Sequence, residues 1–179
     1  MKNLLRGLFI GRFQPFHNGH LHAVKHILSE VDEVVIAVAS AQYNYTIDNP
    51  FTAGERIEMI KLALGPLYNR TYVIPVDNIP NNYTWPRHVL NYVPRVHVVY
   101  TNNEFVAKLF KDYGLETRPV PHLEGVSGTL IRKLIVEDKP WKHLVPEPVA
   151  KYIEEIGGVE RIKLVHRMRV VAEGERHGR

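Results

Sequence analysis

The chain has 179 residues, 45% of them hydrophobic and 23% charged, the make-up of a globular protein long enough to close one core. It contains no cysteine, so disulfides, thiolate zinc sites, iron–sulfur clusters and cysteine nucleophiles are excluded. No run approaches the roughly 18 apolar residues of a membrane span, and a net charge of +4 with pI 9.3 suits small anions without marking a nucleic-acid binder.

Residues 4–10 are nearly all apolar and predict a first strand buried on both faces. A helix is expected over about residues 19–29, where Leu21, Val24, Ile27 and Leu28 recur at helical spacing. Residues 34–39 form an uninterrupted, mostly β-branched run, so the opening unit is strand–helix–strand with a parallel pair. Residues 40–51 read as a polar loop. Thr52 and Glu55 fit a capping box opening a helix that turns Ile57, Met59, Ile60 and Leu64 inward, and Gly65-Pro66 stops it.

A short third strand follows at 72–74, then a loop rich in Pro and Asn over 75–85. Residues 96–100 predict a fourth strand, leading through Thr101-Asn102-Asn103 into a helix carrying Phe105, Leu109 and Phe110. Residues 117–120 suit a fifth strand at a sheet edge, given the prolines around them. Ser127 caps a helix over 130–136, and Pro146-Glu147-Pro148 opens another over 149–156, ended by Gly157-Gly158. The alternation defines an α/β protein with a parallel sheet. The basic C-terminus (Arg161, Lys163, Arg167, Arg169, Arg176 and Arg179) reads as a solvated helix and frayed tail, with no aromatic RNA-binding motif beside it. No A-x-A-like cleavage site follows the first apolar residues, so a cytoplasmic protein is expected.

Two stretches carry chemistry. Gly11-Arg12-Phe13-Gln14-Pro15-Phe16-His17-Asn18-Gly19-His20 joins the first strand to the first helix, where unpaired N–H groups and the helix dipole favour phosphate. Gly11 and Gly19 allow close backbone approach, Arg12 adds a cation, and His17 and His20 fall near one face. Ser127-Gly128-Thr129-Leu130-Ile131-Arg132 is a second helix start, with hydroxyls, free N–H groups and an arginine able to grip an anion bidentately. Together the two can enclose one triphosphate, and a histidine facing it is expected to shift toward its charged form. A surface histidine pair, or a zinc pair completed by His22 or His26, stands as the alternative. Trp85, preceded by Asn81 and Asn82, is either a core residue or a ring platform in a pocket. Neither the dinucleotide-binding glycine fingerprint nor a P-loop occurs.

These motifs resemble the two signatures of the nucleotidylyltransferase superfamily. Ser40-Ala41-Gln42, the stretch 49–56, Trp85 and Gly158-Val159-Glu160-Arg161 narrow the resemblance to the archaeal type of nicotinamide-nucleotide (NMN) adenylyltransferase, from about residue 5 to residue 162. The resemblance implies one domain over residues 1–179, with a Rossmann-like sheet of about five strands flanked by helices. A small helical extension and basic tail would occupy about 137–179. It also implies a reaction, NMN plus ATP giving NAD and pyrophosphate, with Mg²⁺ carried on the ATP phosphates and no protein metal ligand. His17, His20, Arg132 and Arg12 become the catalytic set. Ile10, Gly11, Phe16, Gly19, Ser127 and Thr129 would bind ATP; Ser40, Asn78, Asn82 and Trp85 would bind NMN. Either Asp77 or Asn78 meets the NMN, since the family often has Asp where this chain has Asn78. The implied assembly is a homo-hexamer, with no nucleic-acid or membrane partner. Adenylyltransferases of phosphopantetheine or flavin phosphate, and a nucleotide-binding regulator without turnover, share the motifs and remain as alternatives.

Overall fold

A computed structural model describes residues 3–177 of the chain. Five parallel strands make one sheet: β1 (Arg6–Gly11), β2 (Glu33–Ala39), β3 (Thr71–Val76), β4 (Val98–Tyr100) and β5 (Glu116–Arg118). Their order is β3-β2-β1-β4-β5, so the chain winds outward from β1 to one edge, then returns to β1's other side and winds to the opposite edge. At that reversal, between β1 and β4, the loops leave in opposite directions and a crevice opens beyond the strands' carboxyl ends.

β2 shows how the sequence builds both faces of this sheet. Val34, Ile36 and Val38 point into one core, shared with Phe9 and Ile27, while Val35 and Ala37 point into the other, shared with Leu8, Val99 and Phe110. A strand covered on both sides must be apolar at every position, which is why this run carries no alternation. Helices α1 (Asn18–Glu30), α2 (Ala53–Leu64), α5 (Gly128–Val136), α6 (Glu147–Glu155) and α7 (Gly158–His177) contribute to the first core; α3 (Trp85–Tyr92) and α4 (Glu104–Asp112) cover the second.

Several expected bounds move. The first strand starts later than residue 4, and the third extends to Val76, with Pro75 tolerated because β3 is an edge strand. The fourth strand begins only at Val98, and β5 ends at Arg118 rather than 120. Gly65-Pro66 ends α2 as expected, but a 3₁₀ turn, Gly65–Arg70, follows directly. Gly157, at a φ of +68°, ends α6, yet α7 starts one residue later. Arg179 and the side chain of Arg176 lie outside the described residues.

Candidate active site

The turn between β1 and α1 is organised by its own rings. His17 is the N-cap of α1: its Nδ1 accepts the N–H groups of Gly19 (3.1 Å) and His20 (3.4 Å), while His20 Nδ1 accepts the N–H of His17 at 3.1 Å. This is a capping box made of two imidazoles. Because both Nδ1 atoms receive N–H donors, both must be unprotonated, and each neutral ring carries its proton on Nε2. The rings stack at 3.6 Å between centroids. Burial lowers the pKa of His17 from 6.5 to about 4, and burial followed by the charge on His17 pushes His20 well below its ordinary value. Desolvation and the capping bonds both favour the neutral form of these rings.

The glycines serve this packing. A Cβ on Gly19 would lie 2.9 Å from His17 Cε1, and one on Gly11 would lie 2.9 Å from the Phe13 ring. Phe13 itself holds a φ of +53°, a left-handed conformation that costs of order 1–3 kcal/mol for a non-glycine residue and that the surrounding contacts must sustain. Phe16 was expected at the nucleotide, but its side chain is fully buried and packs against His20 at 5.3 Å, so it supports the ring from within the core.

The second motif arrives at the same turn. Ser127 caps α5, its Oγ accepting the Leu130 N–H at 3.1 Å. One turn on, Arg132 Nη1 donates to the Gln14 carbonyl at 2.7 Å. Gly128 lies between: a Cβ there would come within 3.0 Å of that carbonyl oxygen and 3.2 Å of Arg132 Nη1. A cleft of about 310 Å³ at the β1/β4 crevice is lined by Ile10, Gly11, His17, Gly19, His20 and Ser127. Its far wall, which the sequence analysis did not assign, consists of Thr101, Asn102 and Asn103 after β4 and residues 120–123 after β5.

Not every expected residue faces this cleft. Arg132 and Thr129 line a neighbouring groove with Ile47, Asp48, His166 and Arg169, where Arg132 Nη2 lies 3.7 Å from Asp48. The imidazoles and the late guanidinium thus line separate spaces, with Ser127 at the first and Thr129 at the second, rather than the single enclosure expected of the two motifs. Arg12 is exposed, and its charge lowers the pKa of both Arg56 and Arg132, after burial as the larger cause.

Arg56 is the cation that sequence reasoning missed. It is fully buried and donates to four carbonyls: Thr52 (3.2 Å), Arg12 (2.8 Å), Ala39 (2.7 Å) and Ser40 (3.2 Å). It thereby ties the ends of β1 and β2 to the start of α2. Ser40, expected at NMN, lines neither space described here; it sits at a φ of +52° and offers Arg56 its carbonyl.

Asn78, Asn82 and Trp85 do come together, lining a pocket of about 180 Å³ with Phe105, Val106 and Leu109. Trp85 also packs edge-on to Phe110 at 5.6 Å, so it is core residue and pocket wall at once. Asp77 does not line the pocket; its carbonyl lies 2.8 Å from His88 Nε2. Helix α4 joins the two spaces, with its N-cap Asn103 at the cleft and its first turns at the pocket. Among the described residues, no three His, Asp or Glu side chains gather as a metal site.

A family model described as cytidylyltransferase-like matches residues 8–134. The chain is 49% identical over 164 residues to the nicotinamide-nucleotide adenylyltransferase of Thermococcus onnurineus, covering 89% of this chain and 88% of the relative. It is 46% identical to that of Caldivirga maquilingensis, covering 97% and 99% of the two chains. Among solved structures, a bifunctional NMN adenylyltransferase/ADP ribose pyrophosphatase from Francisella tularensis, complexed with AMP and a manganese ion, shares the fold at a TM-score of 0.74 and 20% identity. That likeness covers 97% of this chain but only 55% of the bifunctional one. With near half of its residues shared over almost their whole length, this chain belongs to the nicotinamide-nucleotide adenylyltransferases.

Proposed function

We propose that the chain joins NMN to ATP, forming NAD and pyrophosphate. One observation carries the reading: the N-termini of α1 and α5, far apart in sequence, line a single cleft at the reversal of the sheet order. Such a crevice with two helix N-termini suits a nucleotide and its phosphates. The neighbouring pocket of Asn78, Asn82 and Trp85 offers an aromatic wall and two amides, which suits a nicotinamide ring.

An oxygen of the NMN phosphate attacks the α-phosphorus of ATP in line. The new O–P bond forms as the bond to the β-phosphate oxygen breaks, and that electron pair leaves with pyrophosphate. The NMN phosphate is already ionised near pH 7, so no protein base is required. Catalysis then reduces to positioning and charge stabilisation. His17 and His20 contribute as Nε2–H donors to the α-phosphate region. The outer phosphates run over Gly128 toward Arg132 and Arg12; a cation about 4 Å from one phosphate charge gains roughly 4 kcal/mol at an effective dielectric near 20. Ile10, Gly11, Gly19, Ser127 and Thr129 border that path. Mg²⁺ would enter with the ATP as part of the substrate and would supply neutralising charge to its phosphates.

The assembly we propose is a cytoplasmic homo-hexamer. Leu164, Met168 and Val171, spaced for one face of α7 and all exposed, suit contact with a second copy. The test of the reaction is chromatographic: the purified chain with Mg²⁺ should release NAD and pyrophosphate only when ATP and NMN are both present. Equal turnover with phosphopantetheine or flavin phosphate in place of NMN would refute the acceptor assignment.

A further inference from the structure

Three side-chain carboxamides lie just past the carboxyl ends of the strands, and all three make the same pair of bonds. Gln14, after β1, donates from Nε2 to the Phe51 carbonyl (3.0 Å) and accepts the Phe51 N–H on Oε1 (2.9 Å). Gln42, after β2, does the same to Asn78, with both bonds at 2.9 Å. Asn102, after β4, does it to Val120, at 2.8 Å and 2.9 Å. A carboxamide offers a donor and an acceptor side by side, as a backbone peptide does, so Gln42 and Asn102 each serve as one more rung of a ladder, while Gln14 ties the chain after β1 to Phe51 in the loop before α2. The positions agree: the last ladder pairs are Ala39 with Val76 and Tyr100 with Arg118, and the clamped residues lie two further on.

What is clamped is the wall of a site. Val120 begins the far wall of the nucleotide cleft, and Asn78 lines the acceptor pocket. The Gln14 clamp is buried, whereas the other two are exposed to solvent. Water can therefore replace the Gln42 and Asn102 bonds at little cost to the fold, but it cannot hold the loops in one place. Asn102 itself borders the cleft, yet both of its polar atoms are engaged by Val120, so it acts through that wall.

We propose that Asn102 and Gln42 are positioning residues that set affinity for the two substrates separately, Asn102 for the nucleotide through residues 120–123 and Gln42 for the acceptor through Asn78. This rests on the reaction proposed above. Loss of two neutral hydrogen bonds that preorganise a loop translates to about fivefold or more in affinity. Asn102→Ala should thus raise KM for ATP by about fivefold or more and leave KM for NMN within about twofold; Gln42→Ala should do the reverse. Asn102→Asp and Gln42→Glu keep the acceptor and the shape but set an oxygen against the partner carbonyl, and they should shift the same constants in the same direction. In the ligand-free variants, the amide of Val120 or Asn78 respectively should exchange faster with deuterium while amides of β1 and β2 are unchanged.

Shifts of equal size in both KM values, no shift in either, or unaltered exchange at Val120 and Asn78 would overturn the proposal. If the unmodified chain makes no NAD, the reaction is wrong but the clamps remain decidable. Exchange at the two amides, and equilibrium binding of ATP to Asn102→Ala against the unmodified chain, then decide them.

Discussion

Using the Nδ1 atoms of His17 and His20 to cap a helix leaves only their Nε2–H groups for a ligand. His20→Ala should lower kcat at least about 100-fold, the usual effect of losing one well-placed donor to a developing charge, with a circular-dichroism spectrum like that of the unmodified chain. The same bonds make stability depend on pH. The unfolded chain takes up protons on His17 at its ordinary pKa of 6.5, the folded chain only near 4. Between those values the unfolded state binds more protons, so stability is complete above 6.5, falls with acid through the window and levels off below 4. His17→Asn retains an N-cap acceptor without a titrating group, and its melting temperature should show a shallower slope across that window. At this scale the pair itself was legible from its spacing beside glycines at a helix start. The protonation state was not, because it depends on burial and on which nitrogen meets the backbone. Arg56 was hidden for a similar reason: nothing in Gly54-Glu55-Arg56 says that its partners are four carbonyls drawn from three segments.

Helix α7 holds the polar loop of residues 40–51 from outside. Arg161 donates to Glu55 at 2.6 and 2.8 Å, donates to the Pro50 carbonyl, and lies over the Tyr45 ring at 4.3 Å. Burial alone would raise the Glu55 pKa, but the bonds from Arg161 and Thr52 hold it below the ordinary value. Arg161→Ala strands that carboxylate, and should cost about 2–3 kcal/mol in a urea titration, somewhat less than the roughly 3–5 kcal/mol for breaking a fully buried pair because this one is partly solvated. The capping box of Thr52 and Glu55 was readable from four letters, since it is a local arrangement. Helix α3 was not: Pro and Asn dominate the approach to it, and its only opening signal is Pro86 in the first turn, followed by Val89 on the buried face. The full length of α7 was masked by Gly157-Gly158, where the φ of +68° at Gly157 reverses the chain for one residue and a new helix begins.

At the scale of the molecule, the parallel sheet and the location of its crevice followed from alternating apolar runs, because handedness and strand order leave few ways to wind such a chain. That the late guanidinium opens onto a groove beside the cleft did not follow, since it depends on side-chain direction at α5. The exposed Leu164, Met168 and Val171 bear on assembly. Light scattering on the purified chain should give six times the mass of the 20.6 kDa monomer, and Met168→Glu should shift it toward smaller species by setting charge in an apolar contact.

The bond from Arg132 to the Gln14 carbonyl joins positions 118 residues apart, and that from Arg161 to Glu55 spans 106. During synthesis, the opening turn leaves the ribosome long before either partner exists. A nascent chain carries the imidazole pair before Arg132 can bond the Gln14 carbonyl or Arg161 can reach Glu55, so the opening turn and the start of α2 gain these long-range bonds only after position 161 has been made.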